Sequence, residues 1–342
     1  MTSQRLKVCV VGLGKIGSQF DSDPKRKTVW SHVGAYLSRL DHFELCACVE
    51  PNAAAVAAFR ERCPIVPVYP DISAMPDSLS LDVVSICTPM ATHLEMIQSI
   101  FNRHSPKVIW CEKPLEADLA RAKEILALSR KNNATIVVSH VRRWLPLWRK
   151  VRRMLMDGAV GTVTCVRVAL PNRILSIGSH AIDLLAYLGG DIVSVSALPV
   201  PSLAEDGEAA IPALLRFKSG AYGIYQVTGM KSELVVEAEI IGTEGRLTVD
   251  EHDGAIRVEK FVESDQFDSY RRLQMDTSVK VASFDSVSPF VEIVDEIVRL
   301  IAGIDAKPTC SGADAFLVQK TIDRMLNAPQ SPTQARGELS GE

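Results

Sequence analysis

The first part of the chain, to about residue 142, alternates short apolar runs with amphipathic segments. The apolar runs are hydrophobic at successive positions, which is typical of parallel strands covered on both faces. The predicted strands are Lys7–Val11, Glu44–Val49, Val83–Cys87, Lys107–Cys111 and Thr135–Ser139. The intervening segments Ala53–Glu61, Thr92–Phe101 and Leu119–Lys131 are predicted helices. This alternation predicts right-handed crossovers and a doubly wound parallel sheet.

The remainder of the chain shows runs joined by tight turns. Several of these runs alternate polar and apolar residues, which predicts a mostly antiparallel sheet with one less buried face. The predicted strands are Val163–Leu170, Val193–Leu198, Ala213–Phe217, Gly223–Thr228, Leu234–Ile241, Arg246–Val249 and Ile256–Glu259. Amphipathic helices are predicted over residues 291–301 and 314–326. We therefore expect an α/β domain over residues 1–142, an α+β domain with a large open sheet over 143–327, and a disordered polar tail over 328–342.

The composition limits the kinds of partner that we expect and leaves the predicted fold unchanged. The 342 residues are 47% hydrophobic and 23% charged, with a formal net charge of −3. Such a balance gives no reason to expect nucleic acid or a membrane as partner, and no run approaches the ~18 apolar residues of a membrane helix. The eight cysteines show no C-x-x-C or zinc-ligand spacing. We expect a reduced, cytoplasmic protein without a bound metal.

The segment "VCVVGLGKIGS" places Gly12, Gly14 and Gly17 in a G-x-G-x-x-G pattern directly after the first predicted strand. In that context the pattern is typical of a Rossmann dinucleotide-binding domain. Gly12 permits the tight turn, Gly14 lets a pyrophosphate approach the backbone, and Gly17 lets the following helix pack on the strand. We expect Lys15 and Ile16, between the glycines, to contribute to cofactor binding as well.

Glu50 ends the second predicted strand, where an acid can accept hydrogen bonds from the adenosine ribose. A carboxylate there repels a 2′-phosphate, so NAD is favoured over NADP. Glu50 lies 33 residues beyond Gly17, whereas the usual separation is ~20. The insertion "FDSDPKRKTVWSH" explains the excess: its Pro24 interrupts the first helix, and Ser31 is a plausible N-cap for the next. The basic run 25–27 is expected to be a solvated loop. If it instead bound the 2′-phosphate, it would favour NADP, so NADP remains the alternative cofactor.

Two later strand ends carry candidate residues for the cofactor site. "ICTPMATHLEMI" places Thr88 and Pro89 at a strand end and His93 early in the next helix. Ligands bind at such ends in open α/β sheets. His93 is expected either to line the nicotinamide site or to make a structural hydrogen bond. "IWCEKPL" ends the next strand with Glu112 and Lys113.

Several motifs together resemble one known family. "EKPL" (112–115), "VRRWLP" (141–146), "GSHAIDLL" (178–185) and "GTEGRLTV" (242–249) follow the glycine motif in order. This order is similar to that of the Gfo/Idh/MocA family, named after glucose–fructose oxidoreductase, inositol dehydrogenase and a rhizopine-catabolism protein. The resemblance implies a Rossmann domain, a C-terminal domain whose open sheet mediates a homodimer or homotetramer, and a sugar-like substrate. It also implies that Lys113 contacts the substrate oxygen beside the nicotinamide, and that the peptide before Pro114 is often cis.

His180 matches the proton-transfer histidine of that family, and its chemistry suits the role because an imidazole titrates near neutral pH. Asp183 lies three residues on, so on a helix it either orients His180 or is a solvated acid. Many members carry an aspartate four residues before the histidine, where this chain has Ser176. Ser176, which can hydrogen-bond a sugar hydroxyl, and Asp183 are also candidate substrate residues. So are Asn172 and Arg173, just upstream, and Arg142, Arg143 and Trp144 near the domain junction.

Three functions remain open from the sequence. The leading hypothesis is an NAD(P)-dependent oxidoreductase that interconverts a secondary alcohol and a ketone on a sugar, cyclitol or nucleotide-linked sugar. In it, Lys113 holds the reacting oxygen and His180 moves the proton. The alternatives are a catalytically silent dinucleotide-binding regulator, which Ser176 favours, and a reductase of a non-sugar carbonyl, which shares the fold.

Overall fold

The computed structural model describes residues 5–171, 174–197, 210–228, 235–281 and 286–327, which form two compact units. The first unit contains the described residues up to Arg149 and those from 286 to Gln319. The second contains residues 150–281 and those from Lys320 onward. This division differs from the boundary predicted at residue 142. The segment after residue 286 returns to the first unit because Phe290 and Ile297 are buried in its apolar core.

Strands and α-helices account for most of the described chain. The strands are β1 (Leu6–Val11), β2 (Phe43–Val49), β3 (Val68–Tyr69), β4 (Val83–Ile86), β5 (Val108–Cys111), β6 (Thr135–Val138), β7 (Val163–Leu170), β8 (Ile192–Ala197), β9 (Ala213–Phe217), β10 (Tyr222–Val227), β11 (Glu237–Gly242), β12 (Gly245–Asp250), β13 (Ala255–Glu263) and β14 (Arg271–Lys280). The α-helices are α1 (His32–Leu37), α2 (Ala53–Arg62), α3 (His93–Arg103), α4 (Leu119–Lys131), α5 (Pro146–Met156), α6 (Ser179–Gly189), α7 (Pro289–Ile301) and α8 (Gly312–Leu326). In the described residues, none of these helices combines the length and apolarity needed to cross a bilayer.

The first unit is built on a six-stranded sheet in the order β3-β2-β1-β4-β5-β6. Each neighbouring pair of strands is parallel. The strand order reverses at β1, whose neighbours are β2 and β4, so the carboxyl ends of these strands flank a topological switch point. Crevices at such points are where open α/β sheets bind ligands. The predicted Rossmann sheet is confirmed.

The segment after the glycine motif is less helical than predicted. Residues 14–17 form a turn, a short 3-10 helix follows at Gln19–Ser22, and α1 begins at His32. The Ser31 side chain caps α1 by accepting from the Gly34 backbone N–H, as predicted. The Asp21 carboxylate fixes the insertion by accepting hydrogen bonds from the Trp30 backbone N–H at 2.5 Å and from the Ser31 hydroxyl. The insertion is therefore an anchored loop that replaces the first helix.

The second unit is built on an eight-stranded sheet in the order β14-β13-β12-β11-β7-β10-β9-β8. All neighbouring pairs are antiparallel except β7 and β10. Helix α6 packs on β7 and β10, near the middle of the sheet. The mostly antiparallel sheet is confirmed. Strand β14 was not predicted, since nearly all its side chains are exposed and leave no alternating pattern.

Candidate functional site

The glycine-rich turn after β1 has the geometry that close approach of a ligand requires. Gly12 has φ +94°, and a Cβ there would lie 2.9 Å from the Cys87 carbonyl. A Cβ on Gly17 would overlap the Gly12 carbonyl oxygen. A Cβ on Gly14, in contrast, would meet no atom within 4 Å. Gly12 and Gly17 are thus required by the backbone itself, whereas Gly14 leaves open space of the kind that a pyrophosphate fills.

A cavity of about 1100 Å³ lies at the carboxyl ends of β1, β2 and β4. It is somewhat larger than the ~300–1,000 Å³ typical of small-molecule sites, which suits an extended dinucleotide. Its walls include seven of the predicted cofactor residues: Gly12, Gly14, Lys15, Ile16, Glu50, Thr88 and Pro89. The structure therefore brings together most of the predicted cofactor site, at the switch point of the sheet.

Glu50 is held in this cavity by the backbone around it. One carboxylate oxygen, Oε2, accepts from the Leu13 N–H at 2.7 Å, and the other, Oε1, accepts from the Asn52 N–H at 2.9 Å. Each oxygen keeps further acceptor capacity, because a carboxylate offers about four lone-pair sites. The side chain is thus positioned to accept hydrogen bonds from a ribose diol.

The cavity also contains residues that the sequence did not single out. Asp71 and Ser73 follow β3, and Asn102 and Arg103 end α3. The Asp71 carboxylate accepts from the Ala74 N–H at 3.0 Å. Their only sequence signal was the position of Asp71 just after a strand, and β3 is two residues long, too short to be recognised by its pattern.

His93 makes the structural contacts that one of its two interpretations predicted. Its side chain is buried, with Nε2 3.0 Å from the Thr88 carbonyl oxygen and Nδ1 3.0 Å from the Leu115 carbonyl oxygen. His93 is not among the residues that line the described cavity. It connects the loop after β4 to the loop after β5, which is the structural role that the second interpretation predicted.

The E-K-P segment continues directly from β5. The peptide between Lys113 and Pro114 is cis, as the resemblance implied. Burial lowers the pKa of Lys113 below its usual range; the Glu112 carboxylate opposes this shift and the positive charge of Arg142 adds to it. Glu112 and Lys113 are not among the residues that line the described cavity, although both were predicted to bind the cofactor. The Glu112 carboxylate instead contacts His32, at 3.0 Å.

Trp144 and Arg143, which were predicted to bind substrate, are both buried in contacts within the first unit. Trp144 is fully buried, and its indole N–H donates to the Glu296 carboxylate at 2.5 Å. Arg143 is also buried; it donates to the Thr309 carbonyl oxygen at 3.0 Å and lies 3.5 Å from the Asp314 carboxylate. Both side chains bind the returning C-terminal segment into the first unit. A stacking surface for a sugar would need an exposed ring, which Trp144 does not offer.

We expect Trp144→Phe to destabilise the protein. The change removes a hydrogen bond to a buried carboxylate, which contributes about 1.5–3 kcal/mol. Urea unfolding should show a lower midpoint with an unchanged m-value. Tyr36→Phe is the control: it removes a buried hydroxyl that lies 2.8 Å from the Ser85 hydroxyl, a neutral bond that contributes about 0.5–1.5 kcal/mol. Equal losses in the two variants would contradict a charged role for the Glu296 contact.

His180 lies in the second unit, in the first turn of α6. A π-helix at Ile174–Gly178 leads directly into α6, and such π-helical segments are frequent at functional sites. Asp183, one turn further on, is buried, which excludes the solvated-acid interpretation. Ser176 belongs to the π-helix, but its side chain is not among the described parts of the structure. The predicted substrate residue Asn172, with Arg173, lies outside the described residues.

Tyr225 is a neighbour of this segment that the motifs did not reveal. It lies on β10 and is almost fully buried. A Cβ added to Gly178 would lie 2.6 Å from its hydroxyl oxygen. A glycine at position 178 therefore allows the chain before His180 to pack closely against the tyrosine.

Comparisons with known proteins agree with this architecture. Residues 6–140 match the model of an oxidoreductase family with an NAD-binding Rossmann fold, and residues 172–248 match the GFO/IDH/MocA C-terminal domain. The oxidoreductase YrbE of Bacillus subtilis is 25% identical over 70% of this chain and 72% of its own length. The myo-inositol 2-dehydrogenase of Thermotoga maritima is 22% identical over 72% of this chain and 75% of its own.

A solved structure shows the same fold over nearly the whole chain. It is the WlbA dehydrogenase of Chromobacterium violaceum in complex with NADH and UDP-GlcNAcA, with a TM-score of 0.76 at 19% identity. The alignment covers 95% of this chain and 94% of that one. Taken with the glycine-lined cavity and the two matching family models, this places the chain in the GFO/IDH/MocA family of NAD-binding oxidoreductases.

Proposed function

We propose that this chain interconverts a secondary alcohol and a ketone on a sugar, cyclitol or nucleotide-linked sugar, with NAD as cofactor. One observation carries the proposal: a partly buried lysine follows the strand next to the cofactor cavity. Strand β5 pairs with β4 up to the Ile86–Cys111 register, so Lys113 and the cavity residue Thr88 leave the same edge of the sheet. An ammonium there can bind an oxygen that gains negative charge during the reaction.

In this proposal the residues divide the reaction between them. The bound nicotinamide supplies the hydride chemistry. Lys113 donates hydrogen bonds to the reacting oxygen and stabilises its developing charge. His180 takes the hydroxyl proton during oxidation and returns it during reduction. The buried Asp183 carboxylate, one helical turn away, orients the imidazole.

In this proposal the Gly12–Gly17 turn and Glu50 bind the cofactor. Gly14 gives the pyrophosphate access to the backbone, and the open space beside it supports this assignment. Glu50 accepts hydrogen bonds from the adenosine ribose. The substrate class is supported by the names of relatives: one is a myo-inositol dehydrogenase, and a structural neighbour was solved with a nucleotide-linked sugar. Substrate contacts from Ser176 and Asn172 belong to the same proposal.

We also propose that the chain forms a homodimer or homotetramer through the sheet of the second unit. Exposed apolar side chains on that sheet support this, among them Leu214, Tyr222 and Met275. Leu214 and Tyr222 lie on the neighbouring strands β9 and β10, where a partner could cover both side chains.

Two alternative functions can be tested alongside the leading proposal. Ser176 in place of an aspartate favours a catalytically silent regulator that binds the dinucleotide, because a serine cannot act as a carboxylate base. A non-sugar substrate is favoured by a relative in Danio rerio, a trans-1,2-dihydrobenzene-1,2-diol dehydrogenase that is 24% identical over 62% of this chain and 68% of its own length.

A cofactor and substrate screen tests the proposed function. Cofactor binding is measured by titrating the purified protein with NADH and NADPH. Turnover is then followed at 340 nm as the reduction of NAD+ or NADP+ in the presence of inositols, free sugars, nucleotide sugars and simple diols. The proposal predicts turnover with a member of the first three groups. Tight NADH binding without turnover on any substrate would favour the regulator, and turnover on the diols alone would favour the third function.

Glu50→Ala is expected to weaken NAD binding by about tenfold and to remove the preference for NAD over NADP. About 1.4 kcal/mol is lost with the ribose hydrogen bonds, and the repulsion of a 2′-phosphate disappears. Fluorescence titration with NADH and NADPH measures both effects. The control is Lys25→Ala combined with Lys27→Ala, which should leave both affinities unchanged if the basic run is solvated. If only this control variant lost NADPH affinity, the cofactor assignment would be reversed.

A further inference from the structure

Buried polar side chains surround the carboxylate of Glu112, the residue just before Lys113. The indole N–H of Trp110 donates to the Ser139 hydroxyl oxygen at 2.9 Å, and Ser139 hydrogen-bonds the Glu112 carboxylate. From the other side, the His32 Nε2 atom lies 3.0 Å from Glu112 Oε1. The sequence offered no sign of this cluster, because His32 and Glu112 are 80 residues apart.

The surroundings of His32 determine which of its nitrogens carries the proton. Its side chain is fully buried, and its ring lies 3.6 Å from the Trp110 ring, centroid to centroid. Burial lowers the pKa of His32, although the Glu112 hydrogen bond and charge oppose the shift, so we take the imidazole as neutral at pH 7. A carboxylate only accepts hydrogen bonds. His32 therefore carries its proton on Nε2 and donates it to Glu112.

Glu112 is consequently a largely buried carboxylate, with a side chain 12% exposed and two side-chain donors. Burial raises its pKa, but the His32 contact, the charge of Lys113 and the Ser139 hydrogen bond outweigh burial and hold the pKa below its usual range. Glu112 favours the charged form of Lys113, and the positive charge of Arg142 opposes it.

We infer that His32 and Ser139 are positioning residues: they hold the Glu112 carboxylate as a counter-ion that keeps Lys113 charged. The inference deepens the proposed function, since it concerns the lysine that would bind the reacting oxygen. An uncharged amine there would bind the developing alkoxide far less strongly.

The physical reason is the equilibrium between two protonation states of the Glu112–Lys113 pair. Burial favours the uncharged pair, a carboxylic acid beside an amine, over the carboxylate–ammonium pair. Hydrogen bonds donated to the carboxylate favour the charged pair, because they replace the water that burial removes. Removing either donor shifts the balance toward the neutral amine. Removing the carboxylate itself removes the attraction of Glu112 for the ammonium and leaves the repulsion from Arg142.

The test measures the ionisation of Lys113 without requiring turnover. Trace acetic anhydride labels each lysine in the full chain from pH 6 to 11, and mass spectrometry of the peptides gives a labelling midpoint for each. The variants are Glu112→Gln, His32→Leu, Ser139→Ala and His32→Gln, whose amide can still donate to the carboxylate. His104→Leu is the matched control, since His104 is also buried, at 5% exposed, but bonds the Leu79 carbonyl oxygen. The exposed Lys107 is the internal reference.

We expect the Lys113 midpoint to fall by at least about one pH unit in Glu112→Gln. It should fall by less in His32→Leu and Ser139→Ala, return toward the wild-type value in His32→Gln, and stay unchanged in His104→Leu. The Lys107 midpoint should not move in any variant. An unchanged Lys113 midpoint in Glu112→Gln would overturn the inference.

The two donors are tested separately from the carboxylate. A shift in Glu112→Gln without one in His32→Leu and Ser139→Ala would show that the donors only pack, which also contradicts the inference. If His32→Leu does not fold, Ser139→Ala and His32→Gln still decide the matter. Because labelling needs no substrate, these outcomes are independent of whether the screen at 340 nm finds a substrate.

Discussion

Replacing Lys113 by alanine is expected to lower kcat by about 10³-fold or more, which corresponds to about 4 kcal/mol of transition-state stabilisation. The ammonium binds the oxygen that becomes negative as the reaction proceeds, and a single donor of this kind commonly contributes 10²–10³-fold. The affinity for NAD should stay within a few-fold, since Lys113 is not among the residues that line the described cofactor cavity. Steady-state kinetics with the substrate from the screen and a binding titration measure the two effects.

Lys107→Ala is the control for this prediction. Lys107 stands just before β5, is exposed, and pairs with Asp82 at 2.9 Å. Its loss should change kcat by less than about twofold, because exposed ion pairs contribute about 1 kcal/mol or less and only to stability. If Lys113→Ala lost NAD affinity in proportion to its loss of activity, the lysine would be a cofactor ligand, and its role at the reacting oxygen would be wrong.

Gly14→Val is expected to abolish dinucleotide binding while the fold stays intact. No atom lies within 4 Å of a Cβ at this position, so the side chain extends into open space without distorting the backbone. That space is the proposed path of the pyrophosphate. We expect NADH affinity to fall by at least about 100-fold, or about 2.7 kcal/mol, with thermal unfolding unchanged in the absence of cofactor.

Gly17→Ala is the comparison variant within the same glycine motif. A Cβ at position 17 would overlap the Gly12 carbonyl oxygen, so this smaller side chain should lower the unfolding temperature of the cofactor-free protein. If Gly14→Val bound NADH normally, the cofactor would take another path. If both variants unfolded alike, the space beside Gly14 would not be the ligand path that we propose.

Much of the fold was predictable because its strands and helices are locally encoded. The predicted helix Leu119–Lys131 and the strands Val163–Leu170 and Ala213–Phe217 agree with the structure residue for residue. Buried parallel strands give continuous apolar runs, and the G-x-G-x-x-G pattern has a backbone cause at Gly12 and Gly17. The cofactor cavity followed from the same reasoning, because its walls lie at strand ends.

The remaining features depend on partners distant in sequence. The sequence predicts Trp144 as a substrate residue, but its indole bonds Glu296, 152 residues further along the chain. Helix α5 was not predicted, although the segment that contains it has strong amphipathic character. The contact between His32 and Glu112 joins α1 to the end of β5. No pattern of neighbouring residues in the sequence predicts this contact.

The central claim of the proposed function is that Lys113 and His180 act on the same substrate oxygen. A double-mutant cycle on kcat/KM tests it most directly, with Lys113→Ala, His180→Ala and the double variant compared with wild type. Groups that act together in one step are strongly non-additive. We therefore predict that each single variant loses about 10²-fold or more and that the double variant is about as active as the weaker single one. Losses that multiply, or full activity in His180→Ala, would contradict the account.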